Sequence, residues 1–242
     1  MQSSSVTRAL RILDLIARAE RPVALKDIAQ TLGIPKSTAH GILRDLAQER
    51  FVDVHEPAAY TVGIKAFEVG AAHLRVAGVD TVITSELAAL TRALEVTAHY
   101  AVLDGVEAVY LYKHDPPRSG VQLASSVGAR LPAHLTAVGK CGLAWLEPAQ
   151  VALHVERAVW SDGGEALVRE LAGIRERGYA DDHGQVAAGV KCVAAPVFDA
   201  GGPRGAVGVS YLSGSPTPGP QVTEQVRHAA ARLTSILGGS ST

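Results

Sequence analysis

The chain has 242 residues, of which 47% are apolar and 19% charged, with 23 Lys and Arg, 24 Asp and Glu, and two cysteines. This apolar fraction excludes a largely disordered chain, and two cysteines cannot build a disulfide scaffold. The longest uncharged stretch, 205–223, is broken by Gly, Pro and Ser, and the first twenty residues are too charged for a signal peptide, so we expect no membrane partner and a cytoplasmic location.

Charge is distributed unevenly along the chain. Residues 1–50 carry eight basic and five acidic residues, a net charge of +3, whereas residues 51–242 carry fifteen basic and nineteen acidic residues, a net charge of −4. The overall charge of −1 argues against a nucleic-acid partner, but it averages over these two regions. The asymmetry suggests that the two regions have separate tasks.

Three short helices are predicted in the first fifty residues. The first has apolar residues at helical spacing on one face, namely Val6, Leu10, Leu13, Ile16 and Ala17. The second covers an apolar run from Leu25 to Leu32 and ends at Gly33, a typical C-cap. The third has Pro35 in its first turn, and its expected buried residues are Ala39, Ile42, Leu43, Leu46 and Ala47. Two short helices joined by residues 33–35 have the dimensions of a helix-turn-helix.

The opposite face of the third helix is available to contact a partner. It presents Lys36, Ser37, Thr38, His40, Gly41, Arg44 and Asp45. A lysine and small hydroxyls at a helix N-terminus suit phosphate oxygens, because the terminal N–H groups and the helix dipole already favour anions. The alternative is that Ser37 and Thr38 only cap the helix and that the charges are solvated.

A β-hairpin is predicted directly after the third helix. Residues 51–54 and 60–62 have the pattern of two strands, and residues 55–59 form the turn between them. A hairpin at this position is a wing, which in winged helix-turn-helix domains lies along the DNA backbone. The candidate DNA-binding residues are therefore Lys36, Ser37, Thr38, His40, Arg44 and, from the wing, Tyr60.

These motifs resemble a known family. The run from Leu25 to Leu46, LKDIAQTLGIPKSTAHGILRDL, followed by FVDVHEPAAYTVGIKAFEVG, is similar to the winged helix of IclR-type bacterial transcriptional regulators, and the resemblance continues to about Ile236. It implies a homodimer or homotetramer that binds operator DNA and responds to a small-molecule effector. Family members often carry Arg at the position of Gly41, so this chain lacks one phosphate or base contact.

The chain divides into three parts on this reading. Residues 1–63 form the winged helix-turn-helix domain, residues 64–78 a linker helix, and residues 79–238 an effector-binding and oligomerisation domain. The linker is predicted from the spacing of Ile64, Phe67, Ala71 and Leu74, with a joint at 75–78. In similar proteins this helix helps to pair the winged helices; the alternative is a helix packed within one subunit.

The pattern after Val79 is mixed α/β. Strands 99–103 and 106–110 flank Asp104-Gly105, a strong hairpin signal. Further strands are predicted at 193–198 and 206–212, and helices at 83–94, 138–146, 167–176 and 222–237. An antiparallel sheet flanked by helices fits this order, and the resemblance implies a GAF-like α/β effector domain. The expected fold class is thus α+β, and residues 213–220 are expected to form a surface loop.

Three segments carry the candidate effector site. Residues 130–146 lead into a helix that begins at 137–139, where unobstructed N–H groups suit a carboxylate. Residues 179–197 place Asp181, Asp182, His183 and Gln185 on a loop before a strand, and residues 205–211 contribute Ser210. In the family these segments converge on a pocket, and the matching positions are Ala137, Val138, Asp182, Cys192 and Ser210.

Two departures from the family affect the expected effector. Gly184-Gln185 stands where many relatives have paired Glu, and Gly208 stands where a Ser is common. Both changes remove polar or anionic groups, so we expect a larger and less charged pocket. It would suit an effector with an apolar body, such as an aromatic acid, and one polar head. Structural roles are the alternative for single residues, such as strand packing for Cys192 and a turn cap for Asp182.

Two other functions remain open alongside a regulator of a metabolic or catabolic operon. A thiol-dependent enzyme acting on small molecules would pair Cys141 with His134, or Cys192 with His183, although no motif supports either pair. The other alternative is a DNA-binding protein whose second domain binds no effector and serves only oligomerisation. The nine histidines lack HxxxH spacing and there is no CxxC, so neither a metal nor another cofactor is predicted.

Overall fold

The computed structural model describes residues 4–77, 80–117, 125–157, 164–214 and 219–239. The chain divides into two compact units, residues 1–78 and 79–242. The first unit contains the predicted winged helix together with the linker helix, and the second contains the predicted α/β domain. Among the residues described, no helix is long and apolar enough to cross a membrane.

Three helices build the body of the first unit. Helix α1 covers Ser5–Ala17, α2 covers Leu25–Leu32 and α3 covers Lys36–Gln48. Helix α2 ends as predicted at Gly33, whose φ of 63° is a left-handed conformation that glycine adopts without steric cost. Pro35 lies one residue before α3 rather than inside its first turn.

The wing is present and belongs to a three-stranded sheet. Strands β2 (Val52–His55) and β3 (Ala59–Val62) form the predicted antiparallel hairpin. A two-residue strand β1, Val23–Ala24, pairs with the other edge of β3, giving the order β1-β3-β2. The sequence did not indicate β1, because two residues are too few to show alternation.

The predicted apolar face of α1 is partly wrong. Val6 is 70% exposed and Leu10 is 61% exposed, whereas Ile12 and Ile16 are buried against α2, α3 and the wing. Helix α1 carries two apolar stripes, and periodicity alone does not indicate which of them packs inward. The linker helix α4 extends over Ile64–Ala77, so residues 75–77 of the expected joint are helical, and residue 78 lies outside the described residues.

The second unit is a six-stranded antiparallel sheet with helices on both faces. Its strands are β4 (Thr97–Asp104), β5 (Glu107–His114), β6 (Arg130–Pro132), β7 (Ala180–Asp182), β8 (Val190–Asp199) and β9 (Gly202–Leu212), in the spatial order β6-β5-β4-β9-β8-β7. Its helices are α5 (Asp80–Leu94), α6 (Ala137–Ala144), α7 (Pro148–Arg157), α8 (Glu165–Arg177) and α9 (Gly219–Ile236), and a 3-10 turn covers Ala133–Leu135. This arrangement confirms the expected α+β class.

The two sheet faces have different side chains. One face carries large β-branched residues of β8 and β9, which pack against α5 and α9 around Leu87, Val207 and Leu233. The other face carries small residues, including Ala101 and Ala194, and packs against α6 and α8. Because small side chains let a helix approach closely, α6 lies directly over the centre of the sheet.

Several elements of this unit were not predicted. Helix α7 and the short strands β6 and β7 were missed, and Asp181 and Asp182 belong to β7 rather than to a loop. Three-residue edge strands are stabilised by pairing with a neighbour and leave little local signal. Helix α9 begins at Gly219, so the predicted 213–220 loop is shorter than expected, and its residues 215–218 lie outside the described residues.

Candidate functional site

The outer face of α3 presents most of the predicted DNA-binding side chains. Lys36, Ser37, His40 and Arg44 are exposed, and Thr38 is half-buried. The N-cap is Pro35, and within the described residues no side chain caps this helix, so the first-turn N–H groups stand beside the hydroxyls of Ser37 and Thr38. This combination is suited to a phosphate group.

Arg44 forms an ion pair on the same face. Its Nη2 atom lies 3.1 Å from Oδ1 of Asp45, and both side chains are largely exposed. Exposed pairs of this kind contribute about 0–1 kcal/mol, so Asp45 does not prevent Arg44 from binding a phosphate.

Tyr60 does not match its predicted place on the DNA-facing surface. Its side chain is 5% exposed and belongs to the core of the first unit. On β3 it lies opposite Val54 of β2 and Val23 of β1. Residues alternate sides along a strand, and Tyr60 takes the inward side, so its ring stabilises the wing instead of reaching DNA.

Two arginines that were not predicted lie near the start of α3. Arg8 and Arg11 of α1 line a hollow of about 350 Å³ together with Gly33, Pro35 and Thr38. Both arginines contributed to the positive charge of the first fifty residues. Their position beside the helix-turn-helix depends on how α1 packs, which the sequence pattern did not establish.

The second unit contains a small cavity between the sheet and the N-terminus of α6. Its volume is about 90 Å³, and Ala137, Val138, Asp182, Cys192 and Ser210 all line it. The five candidate effector residues are thus brought together by the fold. The lining also includes His99, Tyr110, Ser125 and Thr136, which sequence reasoning did not select.

Neighbouring strands supply the floor of the cavity in two cross-strand rows. Ser210 of β9 pairs with Cys192 of β8, which pairs with Asp182 of β7. In the next row on the same face, His99 of β4 pairs with Gly208 of β9. This register explains why residues far apart in the sequence share one cavity.

The N-terminus of α6 forms another wall. Thr136 is its N-cap, and the Thr136 Oγ1 atom accepts a hydrogen bond of 3.0 Å from the Gly139 N–H. The expectation of an unobstructed helix end is therefore wrong for Gly139. Among the described hydrogen bonds, none uses the Ala137 or Val138 N–H, which leaves two donors for a ligand.

The polar floor residues already contact each other or nearby backbone. Asp182 Oδ1 accepts a hydrogen bond of 2.7 Å from the Gln185 N–H, and Cys192 Sγ lies 3.2 Å from Ser210 Oγ. Burial raises the pKa of Cys192 to about 11, so its thiol stays protonated at neutral pH. The thiol and hydroxyl offer weak, neutral hydrogen bonds to a cavity occupant.

Two buried polar atoms in the lining have no partner among the described residues. They are His99 Nδ1 and Ser125 Oγ. Burial, with a smaller contribution from the charge of Lys113, lowers the pKa of His99 to about 3, so its imidazole is neutral. Unsatisfied buried polar atoms are uncommon and costly in native proteins, and this cavity is lined by two of them.

The expected enlargement of the pocket is not observed. A Cβ atom at Gly208 would stand 2.9 Å from His99 Nε2, so the imidazole occupies the space that the missing side chain leaves. Gln185 does not line the cavity; its Oε1 atom accepts a hydrogen bond of 2.5 Å from Nζ of the buried Lys140. At about 90 Å³ the cavity is smaller than the ~300–1,000 Å³ of typical ligand pockets.

A larger hollow of about 1070 Å³ lies elsewhere in this unit. It runs between the end of α8, strand β8 and helix α9, and it is lined by Arg177, Tyr179 and Arg227 among others. It contains neither of the unpartnered atoms described above. The small cavity is therefore the better candidate for a specific ligand.

The geometry does not support the thiol-enzyme alternative. Cys141 is fully buried, its Sγ atom donates to the carbonyl of Ala194 at 3.3 Å, and burial raises the pKa of this thiol to about 12. Burial also lowers the pKa of His134. In the other pair, His183 contacts Asp181 at 3.3 Å. No group of three or more metal-ligating side chains occurs in the part of the chain that the structure describes.

Comparison with known proteins agrees with the two-part architecture. A family model for the IclR helix-turn-helix domain matches residues 5–55, and one for the C-terminal part of bacterial IclR transcriptional regulators matches residues 71–235. The HTH-type transcriptional regulator XynR of Escherichia coli K12 is 36% identical over 205 residues, which cover 81% of this chain and 80% of XynR. The glycerol operon regulatory protein of Streptomyces coelicolor is 35% identical over 219 residues, which cover 85% and 84%.

The fold is also similar to that of solved structures. The crystal structure of an IclR transcriptional regulator from Alicyclobacillus acidocaldarius superposes with a TM-score of 0.85 and 28% identity, over 98% of this chain and 100% of that chain. Sequence, fold and domain order agree with one another along nearly the whole chain. The protein belongs to the IclR family of bacterial transcriptional regulators, and it is thus a DNA-binding regulator of the cytoplasm rather than an enzyme.

Proposed function

We propose that this regulator controls a metabolic operon and that a short organic acid, bound in the cavity beside α6, changes its affinity for operator DNA. The observation that carries the proposal is the cavity itself, which combines two N–H groups at a helix N-terminus with two buried polar atoms, and none of these has a hydrogen-bond partner among the described residues. Such a combination is characteristic of a ligand site rather than of a packing defect.

The α6 N-terminus would bind the carboxylate. Ala137 and Val138 point their N–H groups along the positive end of the helix dipole, which favours an anionic group. Asp182 accepts hydrogen bonds and repels a second anion, so the other end of the ligand should carry a neutral donor. Leu131, Val186 and Val190 in the lining suit an apolar body.

The volume of the cavity favours a short aliphatic acid. A cavity of about 150 Å³ accommodates benzene, whereas this one measures about 90 Å³. The aromatic acid expected from the sequence therefore requires the cavity to expand, and we treat it as the second candidate. Its apolar body and single polar head still agree with the lining.

We further propose that two copies of the chain pair through α1 and α4. In the first unit Val6 and Leu10 of α1 and Phe67 of α4 are large apolar residues that remain exposed, Phe67 at 70%. Dimerisation would cover them and present two α3 helices to half-sites about 34–36 Å apart, or a multiple of that distance. The alternative in which the linker helix packs within one subunit leaves Phe67 unexplained.

Anisotropy of labelled DNA from upstream of the protein's own gene tests this function. We expect binding that weakens steeply with salt and that changes at least about fivefold when propionate, lactate or pyruvate is added. Benzoate serves as the larger comparison. If none of the acids alters DNA affinity or raises the melting temperature, the second unit serves only oligomerisation and the effector proposal is wrong.

A further inference from the structure

His99 lies on the cavity floor and carries a buried polar atom that the described residues leave unpaired. It belongs to the central strand β4, its side chain is 1% exposed, and its ring lines the cavity. Its Nδ1 atom has no hydrogen-bond partner within the described residues, although the Tyr110 ring lies nearby with the ring centroids 5.2 Å apart. A histidine that served packing alone would satisfy its ring nitrogens or be replaced by an apolar residue at no cost.

Gly208 provides the space that this imidazole occupies. The two residues pair in register on neighbouring strands, and an added Cβ at position 208 would stand 2.9 Å from His99 Nε2 and 3.0 Å from the carbonyl oxygen of Val193. Even alanine at position 208 would displace the ring. The imidazole of His99 thus depends on a glycine at position 208, and its ring lies over β9, the strand that also supplies Ser210.

The neutral imidazole offers one donor and one acceptor. A hydroxyl group can both donate and accept, and an oxo group can accept, so either can pair with the ring. An unsubstituted aliphatic acid offers nothing at this point and would leave Nδ1 desolvated and unpaired. His99 therefore distinguishes ligands by what they carry beyond their carboxylate.

We propose that His99 is a specificity-determining residue of the effector site, and that its imidazole hydrogen-bonds a hydroxyl or oxo group of a short hydroxy- or oxo-carboxylic acid. This inference rests on the proposed effector function. It adds His99 to the effector contacts expected from the sequence. It also gives a role to Gly208, which leaves the space that the imidazole needs to make this contact.

Calorimetric titration of the full-length protein with lactate, pyruvate and propionate tests the contact. These acids have equal carbon number and differ at the second carbon. We expect wild-type protein to bind lactate or pyruvate at least about tenfold more tightly than propionate, and His99→Leu to bring this ratio close to one. An unchanged ratio in His99→Leu would overturn the proposal.

A matched control comes from His114, whose Nδ1 atom is also buried without a partner in the described part of the chain but which does not line the cavity. His114→Leu should leave the ratio between lactate and propionate at its wild-type value. A ratio that collapses equally in both variants would show a general effect of losing a buried histidine and would also overturn the proposal.

The melting temperature of the protein without ligand gives a second test of His99, which does not depend on the choice of effector. Because His99→Leu removes an unsatisfied buried nitrogen, we expect the melting temperature of the effector-free protein to rise by about 2–4 °C. A fall would mean that His99 is a packing residue and would overturn the inference. If none of the three acids binds, the His99 contact is overturned together with the acid class of the proposed function, whereas three acids that bind equally well to wild-type protein would overturn the His99 contact alone. Should His99→Leu fail to fold, His99→Met is measured in the same way.

Discussion

Lys140 Nζ lies 2.7 Å from Glu170 Oε1, although the lysine side chain is only 2% exposed. The same ammonium donates to Gln185 Oε1 at 2.5 Å and to the Asp181 carbonyl at 3.4 Å. Its three donors are thereby matched with three acceptors. This residue of α6 consequently connects the helix that forms the cavity wall with α8, with β7 and with the segment that follows β7.

Removal of the negative charge of Glu170, which pairs with the buried Lys140, should destabilise the protein. Glu170→Gln leaves the buried ammonium without a carboxylate, and we expect the free energy of unfolding in urea to fall by about 3 kcal/mol, at the low end for a broken buried pair because Glu170 itself is partly exposed. Glu165→Gln breaks the exposed Glu165–Arg169 pair on the same helix and should cost less than about 1 kcal/mol. Equal losses in the two variants would contradict this account of Lys140.

Substitution of Gly41 should separate helix stability from DNA contact. A Cβ at this position of α3 meets no atom within 4 Å, so Gly41→Ala should stabilise the protein by about 1 kcal/mol through helix propensity. Gly41→Arg should gain a similar amount and also bind DNA more tightly, with a salt slope steeper by about 0.9. The measurements are urea unfolding and anisotropy at several salt concentrations. If Gly41→Ala tightens DNA binding as much as Gly41→Arg does, the added charge makes no phosphate contact.

Loss of Arg44 should weaken DNA binding without affecting the cavity. Arg44→Ala removes an exposed cation from the outer face of α3, and we expect lower operator affinity with a salt slope reduced by about 1. Arg169→Ala, on α8 of the other unit, is the control for the loss of one exposed positive charge. Arg44 would leave the set of DNA contacts if both variants bound DNA equally well.

The titration of His99 should affect stability in mildly acidic solution. Its pKa is about 3 in the folded protein and about 6.5 when unfolded, so below pH 6.5 the unfolded chain binds a proton that the folded chain does not. This group therefore lowers the free energy of unfolding as pH falls from about 6.5 towards 3, by at most about 1.4 kcal/mol per pH unit.

Comparison of wild-type protein with His99→Leu separates the effect of His99 on the free energy of unfolding from the effect of the carboxylates, which titrate in both proteins. Unfolding in urea at intervals between pH 6.5 and 4 should show a steeper loss of stability in the wild type. Parallel curves for the two proteins would mean that the imidazole titrates at its ordinary pKa and is not desolvated as the structure indicates.

Elements with strong local signals were predictable from the sequence. The Gly33 C-cap of α2 and the hairpin after β4 depend on the conformations of neighbouring residues, and both form as predicted, except that Asp104 pairs with Glu107 and the hairpin loop is therefore Gly105-Val106 instead of Asp104-Gly105. The inward face of α1 was not predictable in the same way. Ile12 and Leu10 are equally apolar, and only packing against α2, α3 and the wing determines that Ile12 is the buried one.

In the candidate site, too, some residues could be selected from the sequence and others could not. Asp182, Cys192 and Ser210 were selected through family resemblance, and the strand register places them side by side. His99 was missed because a single histidine in an apolar strand has no distinctive spacing. Its importance depends on a glycine more than a hundred positions later, which becomes its neighbour only when β4 and β9 pair.

The connection between α5 and β4 gives the cavity a short covalent route to the start of its unit. Helix α5 ends at Leu94 and β4 begins at Thr97, so only Glu95 and Val96 separate the first helix after the DNA-binding unit from the strand that carries His99. A ligand that contacts this imidazole therefore contacts the cavity strand that is nearest in sequence to the DNA-binding unit. Of all the cavity walls, β4 is separated from the DNA-binding unit by the fewest residues of the chain.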